Sequence, residues 1–273
     1  MDKTQEEKII SMYEKRRPMA WIMKETGLQE KKIINFLKEK SLWTGHKSLI
    51  NYFDEFFFDN IDTEEKAYWL GFIYADGYLD NRNGIGIELD VKDKEHLEKF
   101  KKSIQAELNV KIYNKNSTYG PQTNCRFCFS SKHIHTILLG YYKSIHKTFE
   151  GEFPKIDKKL ERHLIRGFFD GDGSLSYSQK KDYSKYLVAP KISFIGTKQT
   201  LEYIESITSI NWYWSKRIKN DTNNFQIECS KINQVLSFLH YMYDDATIYL
   251  DRKYEKYQFV LKNREYLQAK ARV

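Results

Sequence analysis

Two stretches of the chain share one pattern: WLGFIYADG at residues 69–77 and IRGFFDGDG at residues 165–173. Aligning their glycines also aligns Asp76 with Asp172, 96 residues apart. The sequence after each motif repeats too, with the periodicities of a strand pair, a helix, a hairpin and a second helix. The chain beyond residue 61 is therefore predicted to have an α+β fold built from two pseudo-twofold related αββαββα halves.

Each motif is predicted to be a helix that ends at its Asp-Gly pair. Two small residues, four positions apart, share one face of each helix: Gly71 with Ala75, and Gly167 with Gly171. A glycine inside a helix costs about 1 kcal/mol relative to alanine, so its repetition indicates that two backbones approach closely. We therefore expect the two helices to pack on each other. Gly77 and Gly173 are expected to end them in the left-handed conformation.

The packing of these helices would bring Asp76 and Asp172 together at two helix C-termini. Carboxylates are unfavourable there, because the helix dipole is negative and like charges repel. A divalent cation between them would relieve both effects, and oxygen ligands favour Mg²⁺, with Mn²⁺ or Ca²⁺ as alternatives. Asp-Gly is also a common turn dipeptide, but its recurrence in matched contexts favours a metal site. Any backbone ligand near position 75 is left open.

The composition narrows the class of protein. The chain has 273 residues, 41% hydrophobic, which is enough for a sizeable core and excludes disorder as the main state. Three cysteines do not form a disulfide framework and indicate a reducing compartment. Its formal net charge of +8 suits a polyanionic partner, nucleic acid first and a membrane surface second.

The N-terminal segment, residues 1–46, is predicted to be a helix-turn-helix-like DNA-binding module. A turn at Thr26-Gly27 precedes a third helix from Gln29 to Lys40. The residues expected on its outer face are basic or amide-bearing: Lys31, Lys32, Asn35 and Lys38. The alternative is a helical appendage that only packs against the rest of the chain.

The remaining boundaries follow from the repeat. Residues 47–61 form a connector whose aromatic side chains are expected to dock on the next domain. The first repeat is predicted over residues 62–156 and the second over residues 157–273.

The paired motif resembles the two signature motifs of the LAGLIDADG homing endonucleases, in the single-chain form. The resemblance extends from about Asp62 to Lys262, and an N-terminal helix-turn-helix beside this core is also seen in that family. It implies a DNA-binding saddle, with two antiparallel sheets along the major groove and the paired helices ending over the minor groove. It also implies metal-dependent cleavage of both DNA strands at a long, asymmetric target.

The resemblance assigns roles to particular residues. Asp76 and Asp172 become catalytic metal ligands for Mg²⁺, with Mn²⁺ as a second candidate. The sixth motif position departs from the pattern, with Tyr74 in the first copy and Asp170 in the second. That difference would leave the sites for the two strands unequal.

The family often places a basic residue near each scissile phosphate, at the end of each repeat. Lys147 in the first copy and Lys253 in the second occupy that place, with Arg252 as a less favoured choice. A cation there could stabilise charge developing on phosphorus or polarise the attacking water. The alternative is that both lysines are solvated surface side chains.

Specificity is expected from strand residues that face the DNA, although the sequence leaves open which alternate positions face outward. The polar and charged candidates are Arg82, Glu88, Asp90 and Lys92 in the first copy, and Lys191, Ser193, Lys216, Arg217 and Lys219 in the second. Residues 125–128 form a lone CxxC, which we interpret as two strand thiols because no further ligand pair completes a zinc site.

The implied partner is double-stranded DNA, with intron RNA as a second candidate, no membrane, and a monomeric chain. The expected location is the cytoplasm of a bacterial or phage-infected cell, or an organelle matrix. The alternative function is a catalytically silent DNA-binding regulator or an intron RNA maturase on the same fold. Two carboxylates placed near phosphates would hinder a protein that only binds, and this favours the nuclease.

Overall fold

The computed structural model describes residues 2–15, 17–44, 52–117, 120–182, 185–216 and 223–263. Three helices come first: α1 (Lys3–Glu14), α2 (Met19–Thr26) and α3 (Glu30–Glu39). Gly27, at φ 67°, ends α2 in the left-handed conformation and turns the chain into α3. Their apolar faces form a small core of their own, made by Ile9, Tyr13, Ile22, Ile33, Phe36 and Leu37.

The first repeat contains α4 (Glu64–Asp76), β1 (Gly77–Leu79), β2 (Gly84–Asp90), α5 (Lys94–Ser103), β3 (Lys111–Ser117), β4 (Gly120–Ser130), α6 (Lys132–Tyr142) and the short α7 (Lys147–Glu150). A 3-10 turn, Val91–Asp93, precedes α5. The strands form an antiparallel sheet in the order β1-β2-β4-β3.

The second repeat has the same order of elements: α8 (Lys158–Asp172), β5 (Ser174–Asp182), β6 (Lys185–Gly196), α9 (Lys198–Ile207), β7 (Tyr213–Lys216), β8 (Phe225–Cys229), α10 (Ile232–Tyr243) and α11 (Asp251–Lys262). Its sheet runs β5-β6-β8-β7, the same order as in the first repeat. The predicted αββαββα duplication is thereby confirmed. The domain boundaries at residues 46, 61 and 156 stay predictions.

Helices α4 and α8 pack on each other through their glycines. A β-carbon placed on Gly71 would collide with the backbone of Leu164, and one placed on Gly167 would collide with the backbone of Tyr68. The residues in these two contacts are related by the same 96-residue offset as the motifs, so the contact is reciprocal about a pseudo-twofold axis. Alanine at either glycine would therefore push the two backbones apart.

The glycines that follow the motif aspartates do not adopt the expected conformation. Gly77 (φ −81°, ψ 166°) and Gly173 (φ −77°, ψ 163°) are extended, and each leads directly into the next strand. The left-handed prediction was therefore wrong. Glycine is suited to these positions because a β-carbon would meet the preceding helical turn, at 2.7 Å from the Ile73 carbonyl oxygen and 2.6 Å from that of Phe169.

Among the described residues, helices cover one face of each sheet and leave the other face open. Helix α5 packs against β2 and β4, while α9 and α10 pack against the second sheet. Because side chains alternate along a strand, Ile85 and Ile87 enter the core and Glu88 lies on the opposite face with Arg126 of β4. The two open faces are available to a partner.

The connector docks as expected. Tyr52, Phe53, Phe57 and Phe58 are buried, while Phe56 is exposed. Arg17 lies 4.2 Å from the ring of Trp21 and 4.6 Å from the ring of Tyr52, which ties the N-terminal helices to the rest of the protein.

None of the helices in the described ranges is both long and apolar enough to cross a membrane.

The close helix contact predicts a large difference between two glycine-to-alanine changes. Gly167→Ala should lower the free energy of unfolding by about 1–3 kcal/mol or more, because the new methyl group meets backbone atoms that cannot move independently. Gly140→Ala, in α6, is the matched control, since a β-carbon there meets nothing within 4 Å. It should be neutral or stabilising by up to about 1 kcal/mol. Urea denaturation of both variants measures this, and equal effects would contradict the packing argument.

Candidate active site

The paired helices bring their last residues together. Asp76 ends α4 and Asp172 ends α8. A β-carbon placed on Gly171, the neighbour of Asp172, would lie 3.3 Å from Oδ2 of Asp76, so that carboxylate lies beside the end of the other helix. Asp76 is half-buried, whereas Asp172 is exposed. The structure thus places two carboxylates at one point on the pseudo-twofold axis.

This position disfavours a negative charge on Asp76. Burial, reinforced by the charge of Asp172, raises the pKa of Asp76 to about 6, although Lys253, Lys147 and Arg252 act in the opposite direction. Burial destabilises the charged form of a carboxylate, and the neighbouring carboxylate adds like-charge repulsion. The site therefore favours a positively charged ligand.

Two buried lysines flank the carboxylates. The Nζ of Lys147 donates to the carbonyl oxygens of Tyr74 (2.6 Å) and Ala75 (3.3 Å), in the last turn of α4. The Nζ of Lys253 donates to the carbonyl oxygens of Gly171 (3.2 Å) and Gly173 (2.6 Å), and also to that of Phe169. Each lysine therefore donates to carbonyls at or just beyond the end of a motif helix, where the last carbonyls lack the regular intrahelical hydrogen bonds.

The burial of these lysines overturns the alternative that they are solvated surface side chains. Lys147 is 6% exposed and Lys253 is 3% exposed. Burial lowers the pKa of each to about 8, although the nearby aspartates act in the opposite direction. They bring positive charge to the end of the helix pair, where both the helix dipoles and the carboxylates are negative.

The two sides of the site are not equivalent. Arg252, which precedes Lys253, places Nε 2.9 and 3.1 Å from the two carboxylate oxygens of Asp93. The residue that precedes Lys147 is His146. On that side a cavity of about 220 Å³ lies between Lys147 and Asp172, and it is also lined by Asn224, whose Oδ1 is buried without a hydrogen-bond partner among the described residues.

The two sixth motif positions differ in their surroundings: Asp170 lies behind the site, whereas Tyr74 lines the cavity beside Lys147. Asp170 is fully buried and accepts hydrogen bonds from the hydroxyls of Tyr68 (2.8 Å) and Tyr243 (2.5 Å) and from the backbone N–H of Leu250 (2.8 Å). Tyr74 instead donates to the carbonyl of Gly151 (3.1 Å). The motif departure thus changes how each helix is anchored.

The donor set fits a magnesium ion. Within the described part of the chain, no group of three or more histidine, cysteine, aspartate or glutamate side chains could hold a metal ion by itself. Magnesium, however, commonly binds through one or two protein carboxylates and completes its shell with waters and substrate phosphates. Asp76 and Asp172 supply two such carboxylates.

The residues predicted to face DNA lie at several places. Arg82 is exposed in the β1–β2 turn, and Lys92 pairs with Asp90 at 3.5 Å. Lys191 pairs with Glu228 at 3.1 Å. Lys216 is exposed at the end of β7. Arg217 and Lys219 lie outside the described residues, and Ser193 is buried on β6.

All four candidates on α3, namely Lys31, Lys32, Asn35 and Lys38, are at least partly exposed. The open face of the first sheet carries four further polar residues that were not among the predicted DNA contacts: Tyr113, Lys115, Asn124 and Arg126. Period-two alternation in β3 and β4 is the sequence signal that predicts their side of the sheet.

Comparison with solved structures agrees with this architecture. The LAGLIDADG homing endonuclease I-GzeII, in complex with its DNA target, superimposes with a TM-score of 0.50 over 76% of this chain and 92% of its own, at 14% identity. I-LtrWI bound to target DNA (74% and 92% covered) and I-SmaMI bound to uncleaveable DNA (75% and 91% covered) both have TM-scores of 0.49 and 14% identity. No protein-family model and no curated protein matches the chain.

The I-GzeII superposition, together with the duplicated αββαββα order, shows that the chain has the fold of the LAGLIDADG homing endonucleases. The predicted saddle architecture of two halves is confirmed by the same likeness.

The raised pKa of Asp76 predicts that Asp76→Asn stabilises the metal-free protein. The folded state holds a proton on this group up to about pH 6, above its usual value of 3.8, so ionisation at pH 7 destabilises the fold. The variant should melt at a higher temperature than the wild type at pH 7. The difference should vanish as the pH falls through 6 towards 4, where Asp76 is protonated in the folded state.

Thermal melts in a chelating buffer between pH 4 and 8 measure this effect. Asp157→Asn is the control, because Asp157 lies at the other end of α8 and a hydrogen bond from the Lys159 N–H lowers its pKa. That variant should show no gain at pH 7. An Asp76→Asn protein that is less stable than the wild type at pH 7 would show that the carboxylate is not destabilised by its surroundings.

Proposed function

We propose that this protein is a site-specific DNA endonuclease that uses divalent metal ions to cut both strands of a long, asymmetric target. The observation that carries the proposal is the meeting of Asp76 and Asp172, flanked by Lys147 and Lys253, at the end of a helix pair between two open sheet faces. The net charge of +8 and the fold shared with I-GzeII, a homing endonuclease in complex with DNA, support a DNA partner.

The carboxylates and the lysines have complementary tasks. Asp76 and Asp172 would hold Mg²⁺, or Mn²⁺, on the axis between the two strands to be cut. When bound, the ion supplies positive charge that acidifies a water molecule and stabilises negative charge on a phosphate. Lys147 and Lys253 fix the two helix ends through their carbonyls and place positive charge beside the same point, which favours an approaching phosphate.

The two open sheet faces provide the surface for the duplex. Their strands carry polar side chains at alternate positions, and a two-stranded β-ribbon can enter the major groove. One chain contains both halves, so a monomer is sufficient for a target without symmetry. The exposed basic face of α3 would add phosphate contacts beside the main site.

A protein that only bound DNA would gain nothing from two carboxylates near phosphates, since they repel the backbone. The carboxylates therefore favour the nuclease over a catalytically silent regulator, but they do not separate it from an intron RNA maturase, which can keep both.

The proposed chemistry predicts a separation of cleavage from binding. Asp76→Asn and Asp172→Asn each remove one negative charge and nearly preserve shape. Either change should reduce double-strand cutting by at least about 100-fold, on the order expected for loss of a group that stabilises charge in the transition state, while a nicked product can remain. Binding should be unchanged or tighter, because a carboxylate no longer repels phosphate.

The experiment pairs gel-shift affinity with plasmid cleavage, in Mg²⁺ and in Ca²⁺, on a target selected from a randomised library. Calcium should support binding better than cleavage, because its looser coordination is less suited to orienting a reacting water. Full double-strand cutting by either variant would contradict the proposed mechanism. If the wild-type protein binds a specific target but never cleaves it, the result would favour a DNA-binding regulator instead of an endonuclease.

The role proposed for α3 predicts a change in salt dependence. Replacing Lys31, Lys32 and Lys38 together by alanine should weaken binding and make the plot of log affinity against log salt shallower, by about 0.9 for each phosphate that the protein no longer neutralises. Alanine at Lys158 and Lys159, which are exposed at the start of α8, should leave the slope unchanged. Fluorescence anisotropy across a salt series measures both. A slope unaffected by the triple change would favour a helical appendage that only packs.

A further inference from the structure

The open face of the first sheet carries a cross-strand cluster centred on one carboxylate. Glu88 of β2 stands opposite Arg126 of β4 in the strand register. It accepts hydrogen bonds from Arg126 Nε (3.2 Å) and Nη2 (2.8 Å), from Asn124 Nδ2 (3.0 Å), and from Lys115 Nζ (3.4 Å). The cluster spans three neighbouring strands, so its members are fixed relative to the sheet.

The arginine in this cluster is held along one edge. In addition to its bonds with Glu88, Nη2 donates to the hydroxyl of Tyr113 at 2.9 Å, and the guanidinium carbon lies 4.9 Å from the centroid of that ring. The side chain is still 40% exposed. A guanidinium has five N–H donors, and these contacts use the one on Nε and the two on Nη2. Among the described residues, nothing accepts from the two N–H donors on Nη1, which diverge from each other.

Glu88 is suited to hold the guanidinium of Arg126, because its carboxylate stays negatively charged. Its partial burial would raise its pKa, but hydrogen bonds from Tyr113, Asn124, Arg126 and Lys115 outweigh that effect and lower the pKa to about 2. The carboxylate is therefore ionised at any pH at which the protein would work.

The second sheet contains a smaller version of the arrangement. Glu228 of β8 accepts from Lys191 Nζ at 3.1 Å and from Gln226 Nε2 at 3.0 Å. In both sheets, then, an acidic residue on the open face is bonded to a cation and an amide. A carboxylate weakens attraction to the phosphate backbone, so a surface built for affinity alone would not favour these acids. Orienting a base-reading side chain gives them a use.

The Nη1 group of this fixed guanidinium offers donors only, and one base matches it best. In the major groove guanine presents two acceptors, N7 and O6, whereas adenine presents an acceptor and a donor, cytosine a donor, and thymine one acceptor with a methyl group. A mobile arginine could turn to a phosphate instead. The bonds to Glu88 and Tyr113 restrain that movement.

We infer that Arg126 reads a guanine in the major groove and that Glu88 is the positioning residue that aims it, an inference that depends on the DNA-binding function proposed above. Glu88 lowers general affinity for DNA and raises discrimination at one base pair. Glu228 does the same for Lys191 at a position in the other half of the target.

The test measures base preference and affinity separately, with the full-length protein and a selected target in Ca²⁺. Binding is compared for all four base pairs at each position. The wild type should prefer guanine at one position by at least about 5-fold, the lower end of the discrimination given by a good base contact, because only Nη1 donates. Arg126→Lys, which keeps the charge but loses the planar group held by Glu88 and Tyr113, should reduce this preference to within about 2-fold without changing the salt slope.

Glu88→Ala should lower the base preference without lowering the affinity for unrelated DNA, whereas unfolding would lower both. The preference at the same position should fall to within about 2-fold, because the guanidinium is no longer aimed at the base, while affinity for unrelated DNA rises or stays equal. Glu228→Ala should affect only positions in the other half-site. Asp157→Ala, which removes an exposed carboxylate at the start of α8, is the charge-matched control and should leave every base preference intact.

Two outcomes would overturn the inference. If Glu88→Ala and Arg126→Lys keep the wild-type base profile, Arg126 contacts phosphate or only stabilises the sheet. If Glu88→Ala abolishes a cytosine preference that Arg126→Lys leaves intact, Glu88 reads the base itself. A wild-type protein with no specific DNA binding would instead contradict the proposed function, which distinguishes the two failures.

Discussion

The contact between α4 and α8 is the constraint on which the rest of the structure depends. At Gly71 and Gly167 no side chain separates the two helices, and each glycine faces the backbone of the other motif. Because the contact is reciprocal, it fixes both the pseudo-twofold axis and the separation of the two sheets. It also places the C-termini of both helices at one point. A larger residue at either glycine would move the sheets and the carboxylates at the same time.

Bringing two helix C-termini together concentrates negative potential, and the sequence adds an aspartate to each. The fold offsets this with buried cations. Lys147 and Lys253 bond to the terminal carbonyls, and their own pKa values are lowered to about 8 by the burial that this requires. The site thus combines two aspartates and two lysines in a partly buried environment, where electrostatic interactions are stronger than in water. Ionisation of Asp76 in this environment reduces the stability of the folded protein, because its pKa is raised to about 6.

The open sheet faces show a second balance, between affinity and discrimination. A uniformly basic surface would bind any duplex through its phosphates. Here Glu88 and Glu228 neutralise neighbouring cations, which lowers that general attraction and restrains the cations in defined geometries. The exposed lysines of α3 have no part in these clusters, and they are suited to general attraction. Under the proposed function, the chain would separate these two tasks between its N-terminal helices and its sheets.

The sequence by itself determined the duplication, the order of helices and strands, the glycine contact and the position of both motif aspartates, because these follow from local periodicity and from one repeated pattern. It also identified Lys147 and Lys253, through the resemblance, as the basic residues at the end of each repeat. Only the tertiary structure decided that these lysines are buried against helix carbonyls, that Asp170 anchors a helix from behind, that Gly77 and Gly173 are extended, and that Arg126 belongs with Glu88. Most of those features are contacts between residues far apart in the sequence, by as many as 102 positions. A local sequence pattern does not determine which distant atoms are buried together or form a hydrogen bond.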